Sequence, residues 1–202
     1  MALGDWLGAA LAFLGPAGLL AAIFLLFLLD AAIFPALPEV FIVAFYFELV
    51  FRWAWAPSMA AAALLVLALA GDVCGNVGLY AIVRALHRRG KVPKRIERAM
   101  QKWTKFLLLQ DERMILLNRI APAIPLTGAF IAVCGWNLRK SVEYVLAGGA
   151  VKYVLLLALA AAMGVAFSPD LSRLVATTLV IVLVAVSFVA GRYRRQRMVA
   201  RA

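Results

Sequence analysis

The chain has 202 residues, of which 66% are hydrophobic, and it carries a formal net charge of +11 at pH 7. An ordinary soluble domain is only about 45–50% apolar, so this composition, with a mean hydropathy of +0.96, excludes a soluble globular domain and indicates an integral membrane protein. The basic residues gather beside apolar stretches without base-stacking or groove-reading elements. The positive charge therefore indicates membrane topology and not a nucleic-acid partner.

Long apolar stretches predict the membrane-spanning helices. A helix needs roughly 20 apolar residues to cross a bilayer, and four stretches reach or approach that length: Trp6–Leu29, Met59–Val83, Glu143–Phe167 and Leu171–Gly191. They predict an all-α membrane protein with about four transmembrane helices in a single transmembrane domain, residues 1–202. The first stretch is not expected to be a cleaved signal peptide, because no Lys or Arg precedes Arg52.

The stretch after the first apolar run, about residues 30–51, is too polar for a helix that faces lipid. It contains two prolines and three carboxylates: Asp30, Pro35, Pro38, Glu39 and Glu48. A central Asp costs roughly 2.5–3.5 kcal/mol on membrane-insertion scales. We therefore predict a re-entrant hairpin, hairpin one, that enters the membrane from the outside and returns. Glu48 and Arg52 are four residues apart and are predicted to form an ion pair at the interface.

The next apolar run contains the sequence GDVCGNVG, residues 71–78. Gly71 and Gly75 have the spacing that lets two membrane helices approach closely. Asp72 and Asn76 are also four residues apart. We favour helix packing as the role of this motif, with substrate contact by Asp72 as the alternative.

A basic segment, residues 84–113, follows and contains 10 of the 21 Lys and Arg residues. Basic residues beside apolar spans are typical of the cytoplasmic side. Apolar residues at spacings of three and four predict an amphipathic helix that lies on the anionic inner leaflet. A pure topology determinant is the alternative.

The stretch at about residues 114–137 is predicted to form a second re-entrant hairpin, hairpin two. If it crossed the membrane, the basic segment and the basic tail, residues 192–202, would face opposite sides, against the positive-inside rule. Its Pro-Ala-Ile-Pro resembles the Pro-Ala-Leu-Pro of hairpin one. Because prolines interrupt helices, the predicted hairpin-breaking residues are Pro35, Pro38, Pro122, Pro125 and Gly128.

The two hairpins would enter from opposite faces, with their tips close together near the membrane midplane. That is the arrangement of an inverted repeat with broken helices at a binding site. Two proline-kinked spanning helices are the alternative. The C-terminal spans, residues 143–167 and 171–191, would return the basic tail to the cytoplasm. We therefore expect a multi-pass protein of the cell membrane with its basic segment and C-terminus in the cytoplasm.

Ionisable residues within the apolar segments are the candidate substrate-binding residues, because charges inside a membrane usually face a cavity or a partner. They are Arg119, Asp30, Glu39, Asp72 and Lys152. An Arg side chain suits a phosphate or carboxylate because its planar fork donates two parallel hydrogen bonds. Carboxylates in a low-dielectric cavity bind protons more readily than in water. The alternative is a structural ion pair of Arg119 with Asp30 or Glu39.

Catalytic residues are not evident in the sequence. The single histidine, His87, lies in the basic segment, and no metal-ligand spacing, nucleophile elbow or phosphate loop is present. We therefore expect neither an enzyme nor a bound cofactor or metal.

Several of these motifs resemble the DedA family, also described as VTT or SNARE-associated Golgi proteins, over about residues 29–164. LDAAIFPALPE places Asp30 and Glu39 where the family has its two acids, without the usual Gly. GDVCGNVGLY supplies the family's Gly-Asp and a following Tyr. NRIAPAIPLTGAFIAVCGW keeps Arg119 and Gly128, but Pro125 stands where the family has a second arginine.

The resemblance implies lipid translocation, since bacterial members move polyprenyl phosphate carriers and eukaryotic relatives scramble phospholipids. It suggests a flippase of an anionic lipid or lipid phosphate, coupled to protons, with Lys152 or a basic loop residue in place of the missing arginine. A proton-coupled exporter of small cations or drugs and a non-transporting membrane scaffold remain alternatives. The glycine-rich helix faces permit a homodimer.

Overall fold

We describe the protein from a computed structural model over residues 3–32, 38–89, 111–120 and 126–166, with the single positions 178 and 182. These ranges are helical and contain no strand, which confirms the all-α prediction. The helices are α1 (Leu3–Ala32), α2 (Pro38–Phe47), a π-helical segment (Glu48–Arg52), α3 (Pro57–Arg88), α4 (Met114–Ile120), α5 (Thr127–Cys134) and α6 (Leu138–Ala166).

Three helices in the described ranges are long and apolar enough to cross a membrane: Gly15–Ala32 of α1, all of α3 and all of α6. The protein is therefore a membrane-embedded helical protein. The predicted fourth span, residues 171–191, lies outside the described residues apart from positions 178 and 182. In α1 the backbone is non-helical at Gly15 (φ 61°), just before Pro16, so the apolar span begins there and not at Trp6 as predicted.

Helices α1 and α3 pack tightly and run in the same direction. A Cβ on Gly71 would overlap the carbonyl oxygen of Phe24, and one on Gly75 would overlap that of Leu28 and come within 2.8 Å of the Ala31 Cβ. Residue numbers rise together in the two helices, so they are parallel. The predicted helix-packing role of the glycine pair is therefore confirmed, and the pair sets the close approach of α1 and α3.

The direction of α1 and the residue at which it ends both differ from the prediction for hairpin one. A first span that led into a hairpin starting at Asp30 would run opposite to α3. Instead, Asp30 lies inside α1, which ends at Ala32, and α2 begins at Pro38. The helix continues through Asp30 because Pro35 is five residues further on and a proline restricts mainly its immediate neighbours.

Helices α3 and α6 run antiparallel. Gly149 lies against Leu69, whereas residues earlier in α3, such as Leu65, face later residues of α6, such as Leu157. Helix α2 packs along α6, with Phe47 beside Gly164. Each half of the described fold thus ends in a long helix, α3 or α6, that follows shorter helical segments. The inverted repeat stays a prediction.

Residues 112–137 form a closed helical hairpin. The backbone N–H of Asn137 donates to Glu112 Oε1 over 2.9 Å, so the two ends of the segment meet. Asn118 Nδ2 donates to Thr127 Oγ1 over 3.5 Å, which joins α4 to α5. The segment therefore leaves and returns at the same end of the bundle. Its re-entry into a bilayer stays a prediction.

The bond that closes this hairpin makes stability depend on pH. The N–H of Asn137 holds the pKa of the Glu112 carboxyl below its usual value of 4.5. Because the pKa is lower in the folded protein, the stabilisation is complete above pH 4.5 and is lost as the pH falls through the folded-state pKa. We expect Glu112→Gln to remove this pH dependence. The free energy of unfolding should change by less than about 1 kcal/mol. Thermal unfolding between about pH 3 and 6 checks it, and identical pH profiles for the two proteins would contradict it.

Several predicted features take a different form or lie outside the described residues. Pro38 is the first residue of α2, a position that favours proline, so it begins a helix. Gly128 lies inside α5, where a Cβ would overlap the carbonyl oxygen of Asn76 in α3. It therefore permits close packing and does not break the hairpin, contrary to our prediction. Three prolines lie outside the described residues: Pro35, Pro122 and Pro125.

The basic segment is also only partly described. Its first residues, Arg84–Arg88, form the last turns of α3, and the side of the membrane on which they lie stays a prediction. The helix continues because nothing in this part of the sequence interrupts it before Gly90. The predicted amphipathic helix falls on residues 90–110, outside the described ranges.

Candidate functional site

The two long antiparallel helices each place a charged residue at their midpoint. Asp72 lies at the middle of α3, and Lys152 is the central residue of α6. Asp72 is only 3% exposed although it carries a charge in a mostly apolar helix. Two candidate spans therefore bring opposite charges to the same level of the bundle.

The strongest contact at this level joins Asp72 to Arg119, the second-last residue of α4. Arg119 Nη2 lies 2.8 Å from Asp72 Oδ2 and donates a hydrogen bond of 3.0 Å to Oδ1. The side chains are 15% and 4% exposed, so the pair is shielded from solvent. Gly148 of α6 makes room for it, because a Cβ there would lie 2.8 Å from Arg119 Cγ.

Two further side chains hold the Asp72 carboxylate in place. Asn76 Nδ2 donates to Asp72 Oδ1 and to the Asp72 carbonyl oxygen, each over 2.9 Å. Tyr153 Oη donates to Asp72 Oδ2 over a longer 3.4 Å. The Tyr153 ring packs edge-on against Phe27 of α1, with 4.9 Å between centroids. Residues of α1, α3 and α6 thus orient one carboxylate toward Arg119.

A second ion pair lies next to the first. Lys152 Nζ donates to Glu39 Oε1, in the first turn of α2. A carboxylate at the start of a helix is stabilised by the helix dipole, and Glu39 is accordingly well placed. Lys152 is 32% exposed, so this pair is more accessible than the pair of Asp72 and Arg119.

The remaining predicted acid, Asp30, completes the group. Its charge acts favourably on Arg119, and the charges of Asp30 and Glu39 both act on Tyr153. We call Asp30, Glu39, Asp72, Arg119 and Lys152 the charge cluster. Five helices contribute one residue each: α1, α2, α3, α4 and α6. It contains three carboxylates and two cations, which leaves one negative charge in excess when all are ionised.

Two buried polar atoms in the charge cluster and its support have no hydrogen-bond partner within the described ranges. They are the donor Arg119 Nε and the acceptor Asn76 Oδ1. Both Asp72 oxygens contact Arg119 through Nη2, so the planar guanidinium fork is not saturated by this carboxylate. Buried polar atoms are nearly always hydrogen-bonded in native proteins. The charge cluster therefore retains capacity to bind a further polar group.

The structure thus brings together all five residues that the sequence singled out, but it changes their partners. Arg119 pairs with Asp72, a partner that the predicted structural alternative did not include. Asp72 belongs to the charge cluster besides lying in the packing motif. Tyr153 was missed, although its position directly after Lys152 in an apolar helix was a usable signal.

Other ionisable groups lie apart from the charge cluster. Glu48 and Arg52 are 3.8 Å apart in the π-helical segment, as the predicted ion pair requires. Arg84 donates to the hydroxyl of Tyr80 near the end of α3. In the part of the chain that the structure describes, no group of three or more His, Cys, Asp or Glu residues is arranged to hold a metal ion.

Comparisons with known proteins yield no assignment: no family model, curated protein or solved structure matches the chain. The resemblance to the DedA family therefore remains a prediction from the motifs. Function has to be argued from the charge cluster itself.

Proposed function

We propose that the protein translocates an anionic lipid, of the polyprenyl-phosphate type, across the cell membrane in exchange for the movement of protons. The observation that carries this proposal is the buried pair of Asp72 and Arg119, whose guanidinium keeps Nε unpaired within the described residues. An arginine fork with an unused donor suits a phosphate oxygen. The pair lies at the midpoint of a candidate span, where a charge needs a functional or structural reason.

The exchange of partners at Arg119 would couple phosphate binding to a proton. A phosphate and the Asp72 carboxylate compete for the same guanidinium, because both are anions that need its donors. Uptake of a proton by Asp72 removes that competitor and frees Nη2, which together with Nε then donates to two phosphate oxygens. Loss of the proton restores the ion pair and expels the head group. Protonation and phosphate binding therefore favour the same state.

The second pair would act in the same way at the more exposed side of the charge cluster. Lys152 holds Glu39, and a protonated Glu39 would release the lysine ammonium to the phosphate. This gives the head group a second cation in place of the arginine that Pro125 replaces in the family motif. Transporters built from inverted repeats bind their substrate near the membrane midplane and open to opposite faces in turn, and the position of Asp72 and Lys152 at the midpoints of α3 and α6 supports such access here.

The test is the binding of a polyprenyl phosphate to the full chain in lipid nanodiscs between pH 5.5 and 8. We expect binding to strengthen as the pH falls, because the proton removes the competing carboxylate. Arg119→Gln should abolish binding. Asp72→Asn, which mimics the protonated acid, should bind at every pH and lose the pH dependence.

Arg139→Gln is the matched control, since Arg139 is 91% exposed and pairs only with Glu143 among its described neighbours. It should bind like the unmodified protein. Equal binding by Arg119→Gln, or no binding at any pH, would refute the proposal.

The excess negative charge of the cluster supports one alternative, a proton-coupled exporter of small cations. Three carboxylates would then bind the cation, and Arg119 would only position Asp72. Binding of tetraphenylphosphonium separates the two functions. The exporter requires this cation to bind, to compete with protons and to remain bound in Arg119→Gln, whereas the phosphate carrier requires none of these.

A further inference from the structure

The two oxygens of the Asp72 carboxylate have different surroundings. Oδ1 accepts from Asn76 Nδ2 over 2.9 Å and from Arg119 Nη2 over 3.0 Å. Oδ2 lies 2.8 Å from the same Nη2 and 3.4 Å from the hydroxyl oxygen of Tyr153. The oxygens therefore differ in the neighbour that they do not share, which is an amide donor for Oδ1 and a hydroxyl group for Oδ2.

Asn76 keeps Oδ1 as an acceptor. Both hydrogens of its Nδ2 are used, because one is donated to Oδ1 and the other to the Asp72 carbonyl oxygen, each over 2.9 Å. A rotation of the amide would place its own carbonyl oxygen against that backbone oxygen, and two acceptors repel each other. A proton on Oδ1 would therefore face a donor that cannot turn to receive it.

The hydroxyl group of Tyr153 can donate or accept a hydrogen bond. Its ring is 2% exposed and packs edge-on against Phe27, so the oxygen stays in place while its hydrogen rotates. When Asp72 is ionised, this hydrogen points to Oδ2. When Oδ2 carries a proton, the hydroxyl oxygen can accept from it as its own hydrogen turns away. The negative charges of Asp30 and Glu39 both act on Tyr153 and favour that turn.

We propose that Asp72 takes up its proton on Oδ2 and that Tyr153 is the positioning residue that accepts a hydrogen bond from this proton. The inference rests on the proposed function, which requires proton uptake by Asp72, and adds the atom at which it occurs. A proton on Oδ2 displaces Arg119 Nη2 from its closest contact and leaves the guanidinium only the 3.0 Å contact with Oδ1. The release of Arg119 thus begins at the oxygen that faces Tyr153.

The surrounding charges favour proton uptake. The charged groups around Asp72 and Tyr153 come from four helices: Asp30 of α1, Glu39 of α2, Arg119 of α4 and Lys152 of α6. Helix α5 carries no charged residue. With Asp72 included, three carboxylates face two cations, and carboxylates that share a buried site do not all stay ionised as readily as in water.

Infrared spectroscopy of the full chain in dodecyl maltoside, a detergent without a carbonyl group, tests the proton site between pH 5.5 and 8. We expect a carbonyl band of a protonated carboxyl group that grows as the pH falls and is absent in Asp72→Asn. In Tyr153→Phe, which keeps the ring and removes the hydroxyl group, the band should move to a higher wavenumber, because the acid proton loses its acceptor. Its midpoint should move to lower pH by about 0.5–1 unit.

Tyr144→Phe is the matched control, because it makes the same change in the same helix nine residues away, about 13 Å along the axis. It should leave the band and its midpoint unchanged. A band that persists in Asp72→Asn would place the proton on another carboxylate and overturn the inference. An unchanged band in Tyr153→Phe would overturn it as well. So would a midpoint that moves to higher pH, because Tyr153 would then act only as a donor to the carboxylate.

Phosphate binding separates this inference from the proposed function. If binding depends on Arg119 and on pH while Tyr153→Phe leaves the infrared band unchanged, only the proton site is wrong. If the band behaves as expected but binding does not depend on Arg119, the proposed function is wrong and the proton site stands.

Discussion

Removing either member of the pair Asp72 and Arg119 is expected to destabilise the protein by about 3–5 kcal/mol, because each substitution leaves a buried charge without its partner. Asp72→Ala removes both carboxylate contacts of the guanidinium, and Arg119→Ala leaves the carboxylate with the neutral donors of Asn76 and Tyr153. The two side chains are 4% and 15% exposed, so water does not replace the lost contact. Thermal or denaturant unfolding in detergent measures the loss.

The double variant Asp72→Ala with Arg119→Ala should lose much less stability than the two single variants together, because it leaves no unpaired charge. The exposed pair of Arg139 and Glu143 is the control. These residues are 91% and 61% exposed at 3.3 Å, so truncating either should change stability by no more than about 1 kcal/mol. Additive losses at the buried pair, or losses equal to those at the exposed pair, would show that the two buried charges do not interact as described.

A single methyl group at Gly71 is expected to destabilise the protein by forcing α1 and α3 apart. The Cβ of Gly71→Ala would overlap the backbone oxygen of Phe24, which cannot turn aside as a flexible side chain would. Overpacking of this kind typically costs about 1–3 kcal/mol and moves the backbone. For a chain of this length we expect the thermal midpoint to fall by about 2–4 °C for each kcal/mol.

Gly78→Ala is the matched control, because it makes the same change in the same helix. A Cβ at Gly78 meets nothing within 4 Å, and alanine favours a helix over glycine by up to about 1 kcal/mol. The thermal midpoint should therefore stay the same or rise. A similar fall for both variants would mean that helix propensity, and not the contact of α1 with α3, governs the effect.

The two expectations concern the same level of the bundle. Gly71 lets α1 approach α3, and this approach places Asp30 and Phe27 beside the charge cluster. Phe27 packs against Tyr153, whose hydroxyl donates to Asp72. Loosening the helix contact should therefore weaken phosphate binding as well as stability.

The sequence by itself indicated that the chain lies in a bilayer and that it is helical. It also showed which charged residues lie within the apolar runs. A run of apolar residues long enough for a bilayer forms helix wherever it lies, because lipid offers no partner to an open backbone. Charges are rare in such runs, so those present could be named individually. The glycine spacing at Gly71 and Gly75 also indicated its contact directly, since a gap in side-chain volume on one face invites a neighbouring helix.

Only the tertiary structure decided which charge pairs with which and how the helices are directed. The sequence indicated Asp30 and Glu39 as possible partners for Arg119 and not Asp72, because local spacing does not rank partners that lie 47 or more residues away. The direction of α1 was predicted incorrectly for the same reason. The charge rule orients spans through their flanking basic residues, and the first 51 residues contain none. The parallel packing of α1 on α3, a contact between distant segments, settled the direction of α1 and brought Asp30 to the charge cluster.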